Sequence, residues 1–211
     1  MSFFTKRFRY NGGWYEGYHF ADAPHGKGKI RFDNGNTYDG DWNYGMMCGQ
    51  GTYTMNSGDV YVGHFYNNKF DGHGTYSSTR EGWVYDGDFR NGNANGQGTM
   101  LYLNGNRYEG GFWDLKFHGY GVYRFSNGAR YEGEFSLGAR HGTGTYYYAN
   151  GDRYEGAWYR GKKQGQGSYY YRSGAEYHGE WENGVKHGWG TMTYPNSPSK
   201  VGQWYNDTFI G

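Results

Sequence analysis

The chain has 211 residues, of which 35% are hydrophobic, 22% aromatic and 19% charged, and its formal net charge is +1. A near-neutral chain has no global field to hold nucleic acid, and a single cysteine, Cys48, excludes an intrachain disulfide and fits a reducing compartment. No apolar run approaches the roughly 18 residues of a membrane helix, and the N-terminus carries no signal-peptide pattern, so a soluble cytoplasmic protein is expected.

A mean hydropathy of −1.07 would ordinarily suggest disorder. The 26 tyrosines argue otherwise, because each buries a large ring while keeping its hydroxyl wet. The 41 glycines follow no Gly-X-Y period, so they are placed for a reason other than a collagen helix.

Residues 1–14 read as an N-terminal cap with half a repeat. This end carries Phe3, Phe4 and Phe8 beside Lys6, Arg7 and Arg9. From Tyr15 onward one phrase recurs. Tyr15-Glu16-Gly17 returns at Tyr38, Tyr61, Tyr85, Tyr108, Tyr131, Tyr154 and Tyr177 in steps of 23 residues, with one step of 24 after Tyr61. A Gly-x-Gly pair recurs in phase from Gly26/Gly28 to Gly188/Gly190. Alone, His25-Gly26-Lys27-Gly28-Lys29 looks like a phosphate-cradling loop. Such a loop occurs once, before a helix; a phrase that recurs without a helical pattern is structural.

Within each unit the period is two. In Tyr38-Asp39-Gly40-Asp41-Trp42 the Tyr, Gly and Trp share one face and the acids the other. A turn near Tyr44–Met47 precedes a second alternating run from Gly49 to Met55, and pairs such as Asn34-Gly35 lead into the next unit. The expectation is eight hairpins over residues 15–199, about sixteen short strands in an elongated, single-layer, twisted antiparallel meander. Strand-interior glycines need compensation, and rings laid across them supply it. Trp42, Phe65, Phe89, Phe112, Phe135, Trp158 and Trp181 on first strands, with Tyr53, Tyr76, Tyr123, Tyr146 and Tyr169 on second strands, are the expected covers. Thr52, Thr75, Thr99, Thr145, Ser168 and Thr191 line the other face with the acids. After Tyr194 two prolines replace the Asn-Gly turn, so the array is expected to stop there. Residues 200–211 then form a degenerate ninth repeat or cap.

These columns resemble the MORN repeat (membrane occupation and recognition nexus), whose unit runs Tyr-x-Gly-x-Trp/Phe, a glycine turn, then Gly-x-Gly. The resemblance covers roughly residues 15 to 205. It implies a single-layer sheet acting as a scaffold or tether. The second half, through His141-Gly142-Thr143-Gly144-Thr145 and Asn150-Gly151-Asp152-Arg153-Tyr154, is similar to the arrays of ciliary radial-spoke head proteins.

Two columns carry residue types suited to chemistry. His25, Cys48, Asp71, Asn95, His118, His141, Gln164 and His187 precede the first glycine of each pair and have metal-ligand character. Neighbouring copies lie two strands apart, about 9.5 Å, too far to share a zinc that holds its ligands at about 2 Å. The pairs Asp39/Asp41, Asp86/Asp88 and Glu132/Glu134 are about 7 Å apart, near glycosidase spacing, but a flat sheet face offers no pocket to raise one pKa. Pairing with Arg107, Arg130 and Arg153 is the expected use of these acids. No Ser/His/acid constellation stands outside the repeat logic, and the chain reads as a non-enzyme with no cofactor, metal or nucleic acid.

The leading functional expectation is a structural scaffold in a cytoskeletal assembly, specifically the ciliary axoneme. Its partner-binding face would be the first-strand rings Tyr38, Trp42, Tyr61, Phe65, Tyr85, Phe89, Tyr108, Phe112, Tyr131, Phe135, Tyr154, Trp158, Tyr177 and Trp181. Trp204, Tyr205, Phe209 and Ile210 would serve C-terminal association, homodimerisation included. The alternative is a phospholipid-binding tether using Lys6, Arg7, Arg9, Lys27, Lys29 and Arg31 against anionic headgroups.

Overall fold

The computed structural model describes residues 5–211; Phe3 and Phe4 lie outside the described residues. These residues form nineteen antiparallel strands and no helix. The chain divides into two compact units, one running up to Leu103 together with Trp113–Leu115, the other comprising Asn104–Phe112 and Lys116–Gly211.

The first unit contains β1 (Thr5–Tyr10), β2 (Gly13–Phe20), β3 (Ala23–Phe32), β4 (Thr37–Asn43), β5 (Met46–Thr54), β6 (Val60–Tyr66), β7 (Lys69–Ser78), β8 (Trp83–Arg90) and β9 (Asn93–Tyr102). The second contains β10 (Arg107–Trp113, shared at its last residue), β11 (Lys116–Arg124), β12 (Arg130–Ser136), β13 (Ala139–Tyr147), β14 (Arg153–Tyr159), β15 (Lys162–Tyr170), β16 (Glu176–Glu182), β17 (Val185–Tyr194), β18 (Ser197–Tyr205) and β19 (Thr208–Phe209). Strands β2 to β17 are the sixteen expected from the eight repeats, each unit an antiparallel meander in chain order. The additional strands are β1, paired on β2, and β18 with β19.

The two turn types differ. Within a repeat the turn is only two residues long, both at positive φ, as in Tyr44-Gly45 (45° and 83°) and Asn67-Asn68 (47° and 64°). This is the hairpin turn whose twist matches its strands. Between repeats only the glycine of Asn34-Gly35 has positive φ (90°), with Gly35 N–H donating to the Phe32 carbonyl at 3.0 Å. The structure adds a register break in the first strands that alternation does not announce. Gly133 opposes Gly144, Phe135 opposes Arg140, and Glu134 is passed over against three residues of β13. Equivalent bulges interrupt β2–β3, β6–β7, β8–β9, β14–β15 and β16–β17.

One tyrosine column answers both the glycines and the bulge. Tyr15, Tyr38, Tyr61, Tyr85, Tyr108, Tyr131, Tyr154 and Tyr177 are wholly buried. A Cβ built on Gly51 would stand 2.6 Å from the Tyr38 hydroxyl, and one on Gly144 would stand 2.7 Å from Cε2 of Tyr131. The first-strand tyrosine, not the Trp/Phe column, therefore covers the glycines. Its hydroxyl continues past them to donate to the carbonyl three residues on, at the bulge: Tyr38 to Asp41 (2.8 Å), Tyr131 to Glu134 (3.0 Å) and Tyr154 to Ala157 (2.9 Å).

The Trp/Phe column packs edge-on between successive tyrosines. Tyr131 meets Phe135 of its own repeat at 5.0 Å and Trp158 of the next at 5.3 Å; Tyr154 meets Trp158 at 5.2 Å and Trp181 at 5.1 Å. Tyr38 is held likewise between Trp42 (5.2 Å) and Phe65 (4.8 Å). Edge-to-face pairs of this kind add about 0.5–1.5 kcal/mol each beyond area burial. Trp158 and Trp181 also donate their indole N–H to the Gly144 and Gly167 carbonyls, at 3.0 and 3.1 Å.

The array does not stop at the prolines. β18 pairs with β17 from Tyr194↔Ser197 to Gly188↔Trp204, with one register shift. Trp204 then fills the next place in the ring column, 5.2 Å from Tyr177, with Phe209 at 5.3 Å on its outer side. Pro198 is tolerated because β19 pairs only with Trp204 and Tyr205, which leaves one side of the start of β18 with no ladder to feed.

Candidate functional site

The fourteen first-strand rings expected to form a partner-binding face are placed by the structure in the core. Tyr38, Tyr61 and Tyr131 are 0% exposed, and even the most exposed member of the Trp/Phe column, Phe135, reaches only 6%. A surface made of those side chains is corrected to one made of the residues laid over them. Two further columns supply it, one on the second strands and one at their ends.

The first of these columns stands across the hairpin from the Trp/Phe position: Pro24, which opposes His19, then Met47, Phe70, Ala94, Phe117, Arg140, Lys163 and Lys186, which face Trp or Phe. Phe70 stacks on Tyr61 and Phe117 on Tyr108, both at 3.9 Å between centroids. From Arg140 onward the column is cationic. Arg140 lies 4.3 Å from the Trp158 ring centroid, Lys163 lies 3.8 Å from Trp181, and Lys186 lies 5.1 Å from Trp204. All three are half-buried. Burial pulls the Lys163 ammonium down to about 8, and it lowers Arg140 as well. Alternation alone misses this column because it puts Met47 in the turn. The turn ends at Gly45, and Met46 already begins β5.

The second column consists of paired rings beside the inter-repeat turns. Tyr146 and Tyr148 lie 4.5 Å apart, as do Tyr169 and Tyr171. The Tyr169 hydroxyl is anchored from the preceding turn: it donates to Asp152 at 2.8 Å, and Asp152 also accepts the Arg172 N–H at 2.8 Å. Shallow grooves run between the two columns. One of about 290 Å³ in the second unit is bordered by Phe117, Tyr123, Phe125 and Arg140; one of about 270 Å³ in the first unit is bordered by Met47, Tyr53, Phe65 and Phe70.

On the opposite face the acids pair as expected. Arg107, Arg130 and Arg153 lie 2.6, 2.7 and 2.9 Å from Glu109, Glu132 and Glu155. The inner acid of each pair caps backbone freed by the bulge: Glu134 accepts the Thr143 N–H at 3.0 Å, and Asp88 accepts that of Gln97 at 3.0 Å. Those donors from Thr143 hold the Glu134 carboxyl below its ordinary range, the opposite of what a general acid needs. The metal-like column caps turns in the same manner. Asn95 accepts the Asp114 N–H at 2.7 Å, Asp71 that of Asn91 at 3.2 Å and Gln164 that of Asn183 at 3.1 Å.

One constellation emerges that the repeat pattern does not suggest. Ser168 Oγ lies 2.8 Å from His178 Nδ1, and His178 Nε2 lies 3.0 Å from Glu176. Ser168 stands between Glu155 and His178 in two ladders, so its surrounding backbone is committed on both sides and no pair of N–H groups converges on an oxyanion position. His178 and Glu176 are moreover almost half exposed. The trio is a cross-strand hydrogen-bond relay on a wet face.

Half of the N-terminal basic patch is paired with acids. Arg9 forms a two-pronged pair with Asp33 (2.8 and 2.7 Å), Lys27 lies 2.7 Å from Asp41 and Lys29 lies 3.3 Å from Asp39. Lys6 lies over Phe8 and Arg7 over Trp14, at 5.8 and 5.2 Å. Arg31 is exposed, opposite Trp14 and Thr37 in the ladders. Of the four C-terminal residues, Trp204 is core and Phe209 rests on it, while Tyr205 and Ile210 are 58% and 65% exposed.

Comparison with known proteins agrees with this geometry. The MORN repeat model matches eight times, at residues 15–37, 38–60, 61–80, 85–107, 108–130, 131–153, 154–176 and 177–197. Among curated proteins, none matches the chain. Similar solved structures include the G-box domain of the microcephaly protein CPAP, at 12% identity over 95% of this chain and 99% of that one (TM-score 0.45). The TCP domain of Drosophila melanogaster SAS-4 (dCPAP), in complex with a proline-rich motif of Ana2 (dSTIL), is 12% identical over 95% of this chain and 90% of that one (TM-score 0.35). The TCP10 domain of Danio rerio CPAP with a STIL peptide is 11% identical over 95% and 93% (TM-score 0.35). At these scores the likeness assigns no function. The eight tandem matches do assign a family: this chain belongs to the MORN-repeat proteins.

Proposed function

We propose that the protein is a non-enzymatic scaffold that holds partner proteins within a cytoskeletal assembly, the ciliary axoneme being the specific assembly we favour. MORN repeats form protein-interaction or membrane-binding modules, and one observation favours the former here. The ring-paved face has a second layer, with Tyr146, Tyr148, Tyr169 and Tyr171 half-exposed over a ladder that is already closed. Rigid, amphipathic rings in excess of what the core requires are the side chains that dominate protein interfaces. Self-association through Tyr205 and Ile210 belongs to the same reading.

The membrane reading is the second, and the half-paired basic patch argues for ranking it there. With Arg9, Lys27 and Lys29 each held by an aspartate, half of the six basic residues that were to meet anionic headgroups are already paired. Imaging of the tagged protein in its own ciliated cells is the direct test. Signal along the axoneme that survives detergent extraction supports the scaffold. Signal that follows the membrane, with co-sedimentation on anionic vesicles lost on reversing Lys27, Lys29 and Arg31, overturns it.

A further inference from the structure

The column that caps the tyrosines has one structural role, which is to cover a ring. Phe70 performs it in the first unit by stacking on Tyr61, and Phe117 in the second by stacking on Tyr108, while Pro24, Met47 and Ala94 fill the same position with buried apolar atoms. In the next three repeats the same position holds Arg140, Lys163 and Lys186. Covering a ring does not require charge, and a cation half out of water is disfavoured unless something compensates it. Burial lowers Lys163, the direction that goes with incomplete compensation within the unit.

Their partners within the unit are rings and carbonyls. Arg140 donates to the Gly161 carbonyl at 2.8 Å and stands 5.1 Å from the Tyr146 ring. Lys163 is placed among Tyr154, Tyr169 and Trp181, and Lys186 among Tyr171, Tyr177 and Trp204. Among the described residues none of the three forms an ion pair with a carboxylate. The acid that reaches Lys163 electrostatically, Asp207, accepts the Lys186 backbone N–H at 2.9 Å. By contrast, the basic residues of the opposite face have acids at 2.6 to 2.9 Å.

We propose that the second unit binds an acidic protein segment along this face, its carboxylates pairing with Arg140, Lys163 and Lys186 while its backbone and stems lie on the rings of Tyr146, Tyr148, Tyr169 and Tyr171. The cations recur every second strand, about 9.5 Å apart. A segment in the extended left-handed conformation rises about 9.3 Å in three residues, so acids at every third position meet the column in register. Arginine at the first position offers a fork for a carboxylate, and the two lysines offer point charges over indole faces. The proposal rests on the scaffold reading and names the chemistry of one partner.

The test uses the full chain and a synthetic twelve-residue peptide with glutamate at every third position, followed by calorimetry or by the fluorescence of Trp158 and Trp181. The expected result is saturable binding that weakens steeply with salt and is lost when glutamine replaces glutamate. Lys163→Met should weaken it at least tenfold, Lys163→Arg should retain it, and the combined variant Arg140→Met, Lys163→Met, Lys186→Met should abolish it. Methionine already occupies this position at Met47, so these variants are expected to fold, which melting curves verify. Should the triple variant fail to fold, Lys163→Met against Lys163→Arg decides alone. Equal binding by wild type and Lys163→Met, or none by wild type at millimolar peptide, overturns the proposal. So does binding of wild type to phosphatidylserine vesicles, lost in Lys163→Met, without peptide binding. Partner proteins still captured by a chain that ignores the peptide would overturn the acidic chemistry while leaving the scaffold reading in place.

Discussion

The hydroxyl of Tyr131 donates a 3.0 Å hydrogen bond to the carbonyl of Glu134, three residues ahead on the same strand, while its ring lies across Gly133 and Gly144. A single side chain thus satisfies the carbonyl at a bulge and covers the bare backbone opposite it, and the arrangement recurs in every repeat. Tyr131→Phe should keep the ring and lose the bond. With a buried acceptor left unpaired, a loss of about 1–2 kcal/mol is expected in urea denaturation, with m unchanged.

Alkali tests the whole column. Burial raises every one of these phenols above its ordinary value near 10, Tyr15 and Tyr177 to about 12 and the other six further. A pKa raised on folding contributes stability that is complete below the unfolded value and is lost as pH climbs toward the folded one. Above pH 10 each phenol lowers stability by up to about 1.4 kcal/mol per pH unit. Eight together should give a steep unfolding between about pH 10 and 12. Tyrosinate absorbance and circular dichroism should change in one step; phenols titrating independently at constant dichroism would show the column to be wet.

Glycine in the first strand is required for a reason sequence alone did not supply. A Cβ on Gly133 would stand 2.5 Å from the Gly144 Cα and 2.6 Å from the Thr143 carbonyl, as well as 2.7 Å from the Tyr131 hydroxyl. The obstacle is therefore facing backbone in addition to a ring that could swing aside. Gly133→Val should destabilise by about 1–3 kcal/mol or more, the overpacking range. By contrast Gly138→Val meets no atom within 4 Å, and its cost comes from a φ of 90°. Thermal melts of both variants separate overpacking from backbone strain.

Leu137 offers a gain. It is 60% exposed and holds φ at 49° as the first residue of the Leu137-Gly138 turn. Leucine in the left-handed region is strained, whereas Asn-Gly is the pair this turn prefers. Leu137→Asn should raise stability by about 0.5–1 kcal/mol, seen as a higher Tm with an unchanged spectrum.

The sequence made the period, the hairpins and the face assignment legible because side-chain alternation and turn glycines are local. Asp39 opposing Thr52 and Glu132 opposing Thr145 are the polar face as read from alternation. What remained hidden depends on register between strands. The bulge at Glu134 leaves the alternation of Gly133 and Phe135 intact, so no pattern announces it. Which ring covers which glycine depends on how far a tyrosine reaches along its own strand, and this moved the cover from Trp158 to Tyr131. The cationic column was visible as Arg140, Lys163 and Lys186 at 23-residue spacing. It became interpretable only once Phe135↔Arg140 and Trp158↔Lys163 placed it over the rings.

The C-terminal strand pair closes the array. Trp204 covers the outer side of Tyr177, and its indole N–H donates to the Gly190 carbonyl at 3.1 Å, so β18 completes the ladder that β17 would leave open. Deleting residues 200–211 removes that cover, together with exposed Tyr205 and Ile210. Stability in repeat arrays is close to a sum of nearest-neighbour terms, so the loss should be confined to the last hairpin. Most of the β spectrum should persist, while hydrogen exchange in 185–199 accelerates and that of 131–159 stays as it was. Sedimentation of the truncated chain should show weakened self-association if Tyr205 and Ile210 form the contact. Gly202→Val leaves both residues in place while adding a Cβ 2.5 Å from the Gly211 carbonyl. Self-association lost on truncation but retained in Gly202→Val assigns it to these exposed side chains; the same loss in both assigns it to the integrity of the closing strand.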